Sequence, residues 1–223
     1  MQFNEVMKTL KEMGTVQNRK EYESHGAGNN LFGVSYANLK KLFTKIQTNQ
    51  KLADMLWAEG NTDAMILATM IADPKAFDID KINIWIKDIR YHLLIDEFVS
   101  NIICYSKYEE ELIDEWIESN DEYISRAGWN ILINLAIHNY EKPDGYFVKY
   151  ITLIEENMHK SKNRTREAMN NALISIGIRN DSLKRLAIEA AKTINKNDTA
   201  YEKTLLKPAD SINFTVKSYE NNI

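Results

Sequence analysis

Asp96 stands in the run Ile89-Arg90-Tyr91-His92-Leu93-Leu94-Ile95-Asp96-Glu97-Phe98-Val99, among large apolar residues, with His92 one helical turn earlier on the same face. A carboxylate in such company must find a partner or bear the cost of desolvation. Lining a groove, it could stabilise a developing positive charge, such as that on a sugar when a glycosidic bond breaks. The opposing reading is a His and Asp pair at a groove edge that satisfies itself, and the chemistry alone favours that reading. Arg126 is the second candidate, because it opens a helix that soon turns apolar at Trp129, Ile131 and Leu132. It would hold a phosphate, or else pair with a carboxylate such as Asp121 or Glu122. The third candidate is the basic run Lys160, Lys162, Arg164 and Arg166, which reads either as a set of phosphate contacts or as a solvated helix face.

Other chemistry is absent from the sequence. There is no phosphate-binding loop ending in Gly-Lys-Ser or Gly-Lys-Thr, no His-Glu-x-x-His and no Gly-x-Ser-x-Gly. The four histidines, His25, His92, His138 and His159, have no ligand spacing, and one cysteine, Cys104, cannot build a thiolate metal site. Neither a metal nor a cofactor is expected. Cys104 in its apolar context reads as a packed thiol, and the single cysteine excludes an internal disulfide framework. The glycine-rich stretch Gly26-Ala27-Gly28-Asn29-Asn30-Leu31-Phe32-Gly33 follows no strand and reads as a flexible connection.

The elements that must position these residues are helices. Three prolines and eight glycines punctuate 223 residues, and the segments between them carry apolar residues at three-to-four spacing rather than alternation. Met7, Leu10 and Met13 mark a first helix. Ser35 is the N-cap of a helix carrying Leu39, Leu42, Phe43 and Ile46. Asp73-Pro74 ends another, since the residue before proline is driven out of helical dihedrals. Further stops fall at Asn139 to Pro143 and at Asn180-Asp181, giving roughly a dozen helices of about 10 to 18 residues.

Three of those helices resemble one another. Asp63 to Ala68, Arg126 to Leu132 and Arg166 to Leu173 each follow a helix and a polar link, then set small and large apolar residues at helical spacing. Ala127 and Ala168 are 41 residues apart, inside the window of roughly 40 to 47 for HEAT-type helix pairs, and the 63 residues from Ala64 to Ala127 leave room for one shortened unit. Stacked pairs predict a curved α-solenoid with a concave groove suited to an extended ligand. The alternative is an irregular bundle that uses alanine where helices cross. The expected organisation is one domain over residues 1–223: N-terminal helices and a connection over 1–34, stacked pairs over 35–200 and a tail over 201–223.

The formal charge of −4 and pI near 5.7 do not by themselves advertise a nucleic acid. That total hides a polarity. Asp78 to Glu122 sums to −9, whereas Lys160 to Lys207 sums to +6. The longest nearly apolar stretch, Ala64 to Ala72, is far short of the roughly 18 residues a membrane span needs, and Met1 to Glu5 lacks the character of a signal peptide, so a cytoplasmic monomer without membrane contact is expected.

Residues across most of the chain also resemble a known family. Leu31-Phe32-Gly33-Val34-Ser35 followed by Leu39-Lys40-Lys41-Leu42, then Leu56-Trp57-Ala58-Glu59-Gly60, the segment ending Ile71-Ala72-Asp73-Pro74, and Arg126-Ala127 before an apolar helix are similar to the bacterial DNA alkylation repair family of HEAT-like repeat DNA glycosylases. The resemblance implies an all-α superhelix holding duplex DNA on its concave face. In active members it implies metal-free excision of N3- or N7-alkylated purines. It equates Asp96 with the aspartate that stabilises the oxocarbenium-like sugar and positions water, and Arg126 with the arginine that holds the backbone phosphate. DNA contacts from Arg126, Lys162, Arg164 and Arg166 would accompany them. The positions of two tryptophan plates fall on His92 and Asn171, so excision is expected to be weak or lost. A non-enzymatic helical scaffold that binds a protein or peptide instead of DNA is the alternative.

Overall fold

The computed structural model describes residues 1–197; the expected tail over 201–223, including Ser211 to Ile223, lies outside the described residues. Among the described residues the chain is all helix, with twelve α-helices and a single isolated bridge between Gly14 and Val34. No helix among them is long and apolar enough to cross a membrane. The chain divides into two compact units, residues 1–112 and the residues from Ile113 onward.

The first unit contains α1 (Phe3–Met13), α2 (Val16–Ser24), α3 (Tyr36–Ile46), α4 (Gln50–Ala58), α5 (Thr62–Ile71), α6 (Ile79–Asp88) and α7 (His92–Asn101). Helix α5, Thr-Asp-Ala-Met-Ile-Leu-Ala-Thr-Met-Ile, is apolar almost all round, and such a helix must be covered on every side. α3, α4 and α7 pack around it, and α1 touches both α4 and α5. Ser35 caps α3 by accepting the Asn38 backbone N–H, as the sequence predicts. Asp73 accepts from the Lys75 backbone N–H where Pro74 begins a short 3-10 turn, so α5 stops where expected. Trp85 of α6 stacks on Trp57 of α4 with centroids 3.8 Å apart, and the Trp57 indole N–H donates to Asp88 at 2.9 Å. The run from Ile89 is not helical throughout: Ile89 and Arg90 connect α6 to α7, and Tyr91 is the N-cap of a helix that starts at His92.

The helix α8 (Glu109–Ile117) leads into the second unit, which holds α9 (Glu122–His138), α10 (Asp144–Asn157), α11 (Asn163–Gly177) and α12 (Asp181–Asn197). α9 and α11 form its main packing pair, while α10 and α12 pack on each other and on α11. Ala127 and Ala168, from the resembling segments, are fully buried, as is Ala64 in α5. Gly128 serves the same end: a Cβ there would fall 2.6 Å from the Ile117 backbone nitrogen, so only glycine lets the end of α8 lie this close to α9. The 63 residues from Ala64 to Ala127, which leave room for one shortened unit, carry α6, α7 and α8.

Candidate functional site

The basic cluster of the second unit is built at the starts of α9 and α11. Asp121 is the N-cap of α9 and accepts from the backbone N–H groups of Tyr123 and Ile124 at 2.8 and 3.2 Å. The next residue, Glu122, turns its carboxylate to α11 and accepts the Arg164 backbone N–H at 2.6 Å, doing for α11 what its N-cap Lys162 cannot do with a cationic side chain. The Thr165 hydroxyl donates to the Glu122 carbonyl at 3.3 Å, and Lys162 Nζ donates to the Asn120 carbonyl at 3.0 Å. The start of α11 is therefore tied to the start of α9 by side chains on both.

Arg126 lies one turn inside α9 rather than at its opening, and only 4 % of it is exposed. Its Nη1 donates to Glu167 Oε2 at 3.0 Å and to the Arg164 carbonyl at 3.1 Å. Arg164 Nη1 reaches the same Glu167 oxygen at 3.2 Å. Glu167 is thus a carboxylate partner of Arg126, while Asp121 and Glu122 each accept backbone N–H groups at the two helix starts. Lys162 is exposed, Arg164 and Arg166 are half-buried, and Arg166 Nη2 donates to the His159 carbonyl at 3.2 Å. The structure thus brings Arg126 and Arg164 onto one carboxylate, and sets Lys162 and Arg166 on the same helix start. Asn171 is exposed on α11.

Asp96 and His92 belong to α7 in the first unit. His92 is buried, its ring edge-on to Tyr91 and His25 with centroids 5.0 and 6.4 Å away, whereas Asp96 is half-buried one turn later. The neighbouring Glu97 accepts from Asn101 Nδ2 at 2.9 Å and from the Tyr36 hydroxyl at 3.4 Å. Burial holds the Glu97 carboxyl above its ordinary pKa, with the charge of Asp96 adding to the rise, against the lowering pull of Asn101, Tyr36 and Lys40. Tyr36 is raised as well, by burial and by Glu97, and Lys40 Nζ sits 5.0 Å from the centre of its ring. Two adjacent carboxylates, Asp96 and Glu97, make this end of α7 a place that favours cations. Among the described residues no group of three or more His, Cys, Asp or Glu side chains is placed to hold a metal ion.

One arrangement was not foreseen in the residue pattern. The fully buried Asp63 at the start of α5 accepts three successive backbone N–H groups, from Phe32 at 2.6 Å, Gly33 at 3.0 Å and Val34 at 2.9 Å. The end of the glycine-rich stretch is therefore pinned, not flexible. Gly33 has φ +81°, and a Cβ on it would lie 2.5 Å from the Arg19 backbone nitrogen, so the clamp requires glycine there. Burial keeps the Asp63 pKa raised even though the three N–H bonds pull it down. The only sequence signal was an acid at the start of an otherwise apolar helix.

Comparison with known proteins places this architecture. The model of a family described as DNA alkylation repair enzyme matches residues 6–208. The chain belongs to that family. Among its relatives, the Listeria innocua protein Lin0241 and the Listeria monocytogenes protein Lmo0209, both described as uncharacterised, are 27 % and 26 % identical to it, each over 97 % of this chain and 96 % of the relative. A solved structure, described as a new family of proteins related to the HEAT-like repeat DNA glycosylases with affinity for branched DNA structures, is 31 % identical. It superposes with a TM-score of 0.88 over 98 % of this chain and 95 % of its own. The all-α, HEAT-like fold of a DNA alkylation repair protein that the resemblance implied is the fold this chain has.

Proposed function

We propose that this member of the DNA alkylation repair family binds branched DNA through its phosphates and does not excise bases. The observation that carries the proposal is the state of Arg126. Buried and bonded to Glu167 and to the Arg164 carbonyl, it acts as a strut between α9 and α11, not as a cation held out to a phosphate. Phosphate contact then falls to the exposed Lys162 and the half-buried Arg166 at the start of α11, since Arg164 shares Glu167 with Arg126. At the positions of the two tryptophan plates stand a buried His92 and an exposed Asn171, and neither offers an indole face to a cationic base. The branched-DNA affinity of the protein family in the similar structure supports the choice of ligand.

The test is a binding titration of a four-way junction against a linear duplex of equal length across salt, beside a base-release assay on methylated duplex. The junction should bind more tightly, with a steep fall in affinity as salt rises. Lys162→Ala or Arg166→Ala should each flatten the log–log salt slope by about 1. Release of 7-methylguanine or 3-methyladenine that collapses in Asp96→Asn would overturn the non-catalytic half. Absence of DNA binding even at low salt would overturn the rest and leave a scaffold for a protein partner.

A further inference from the structure

Behind the basic start of α11 lies a cavity of about 390 Å³, lined from α9, α10, α11 and the two links that precede α9 and α11. Its size falls in the range of roughly 300 to 1,000 Å³ found for small-ligand sites. The apolar part is Trp129, Leu153 and Met169. Around it three hydroxyls and one amide N–H of the lining are already committed: Ser125 donates to the Ile117 carbonyl at 3.0 Å, Ser161 to the Asn157 carbonyl at 2.9 Å, Thr165 to the Glu122 carbonyl at 3.3 Å, and Asn157 Nδ2 to the Leu153 carbonyl at 2.9 Å. What the three hydroxyls have left to offer a ligand is acceptor oxygen, to which the Asn157 amide oxygen and the Glu118 carboxylate in the lining add. The cationic part is Lys160 and Lys162. Lys162 already donates to Asn120, whereas Lys160 is exposed and makes no hydrogen bond or ion pair among the described residues.

A ligand suited to this lining has a flat apolar body, N–H groups to give, and an anion. We infer that the cavity takes a single nucleotide whose base carries an exocyclic amino group, with Lys160 on its phosphate. Carboxylate and amide oxygens accept well from the amino groups of cytosine and adenine, and thymine has no such group. The nucleotide comes either free in solution or as an unpaired residue at a DNA branch, and the second source rests on the function proposed above.

Two arms of one experiment separate the sources. Calorimetric titration with dAMP, dCMP and dTMP tests the free nucleotide; dAMP and dCMP should bind, dTMP about tenfold more weakly, and Lys160→Ala should weaken the first two about tenfold. Junctions with and without one unpaired 2-aminopurine at the branch test the DNA-borne nucleotide, read by affinity and by the fluorescence of the base. The unpaired base should raise affinity about tenfold, and Lys160→Ala should abolish that preference. The ratio of the two junction affinities cancels any general loss of DNA binding. Equal affinity for both junctions together with no nucleotide binding, while junction binding persists, overturns the inference and spares the proposed function. Nucleotide binding without any junction binding does the reverse.

Discussion

Removing the Glu167 carboxylate is the sharpest perturbation of the strut. In Glu167→Ala, Arg126 keeps the Arg164 carbonyl but loses its ion pair with Glu167, and the two guanidinium groups lose the anion they shared. Breaking a buried ion pair from one side costs about 3 to 5 kcal/mol. The Arg126 side chain is only 5 % exposed, but that of Glu167 is 34 % exposed, so water recovers part of the loss and about 2 kcal/mol is the expected net effect. For a chain of this size that corresponds to a fall in Tm of roughly 4 to 8 °C. The assay is thermal unfolding of four proteins: wild type, Glu167→Ala, Arg126→Met, and both together. Arg126→Met should cost less, because Glu167 keeps Arg164 as its partner and an apolar chain of similar length fills the space. The double variant should sit close to Arg126→Met, since without the buried cation the carboxylate keeps only its half-exposed pair with Arg164, which is worth little. If the two single effects simply add, or if Glu167→Ala changes Tm by less than about 1 °C, the strut reading is wrong.

Three further outcomes follow from the same structure. Asp63→Ala strips acceptors from three backbone N–H groups at once and should destabilise the first unit by about 3 kcal/mol, measured by urea unfolding; wild-type stability would refute the clamp. The Glu97 pKa is raised, so its folded form binds a proton more readily than the unfolded chain, and its ionisation costs stability as pH rises above the ordinary carboxylate range. Glu97→Gln should therefore raise Tm at pH 7 and give no advantage below about pH 4, and an equal gain at both pH values would count against this origin. Burial and the nearby Glu109 push the Cys104 thiol far up, so its reaction with a disulfide reagent at pH 8 should be at least about tenfold slower than that of a free cysteine.

What could be read in the sequence was local or periodic. Ser35 and Asp73 announce helix ends because a cap and an X-Pro step act on residues two or three positions away. Ala64, Ala127 and Ala168 announce packing contacts because a small residue among large ones has one structural use at that spacing. The candidate sites depend on partners distant in sequence. Glu167 reads as one acid in a basic run, and its meaning lies in Arg126, 41 residues earlier. Asp63 grips backbone 29 to 31 residues before it, and Tyr36 reaches Glu97 across 61 residues. Backbone N–H groups leave no trace in residue type, which is why the glycine-rich stretch read as flexible although it binds an anion, the carboxylate of Asp63.

Those partners also decide how charge should be counted. The sum of +6 from Lys160 to Lys207 treats every cation as available to DNA. At the start of α11, however, one carboxylate is divided between Arg126 and Arg164, and a second, Glu122, is consumed by a backbone N–H. A guanidinium already bonded to a carboxylate gains little from a phosphate, because it must give up one charge-assisted bond to make another. Outside the strut stand Lys160, which is exposed and makes no hydrogen bond or ion pair among the described residues, and Lys162, whose carbonyl partner leaves its charge intact. Affinity for DNA should therefore be set by a few contacts on the rim of one cavity. A small basic rim beside a nucleotide-sized cavity suits a ligand that departs from regular duplex at one point, since such a point offers an unpaired base and closely spaced phosphates together.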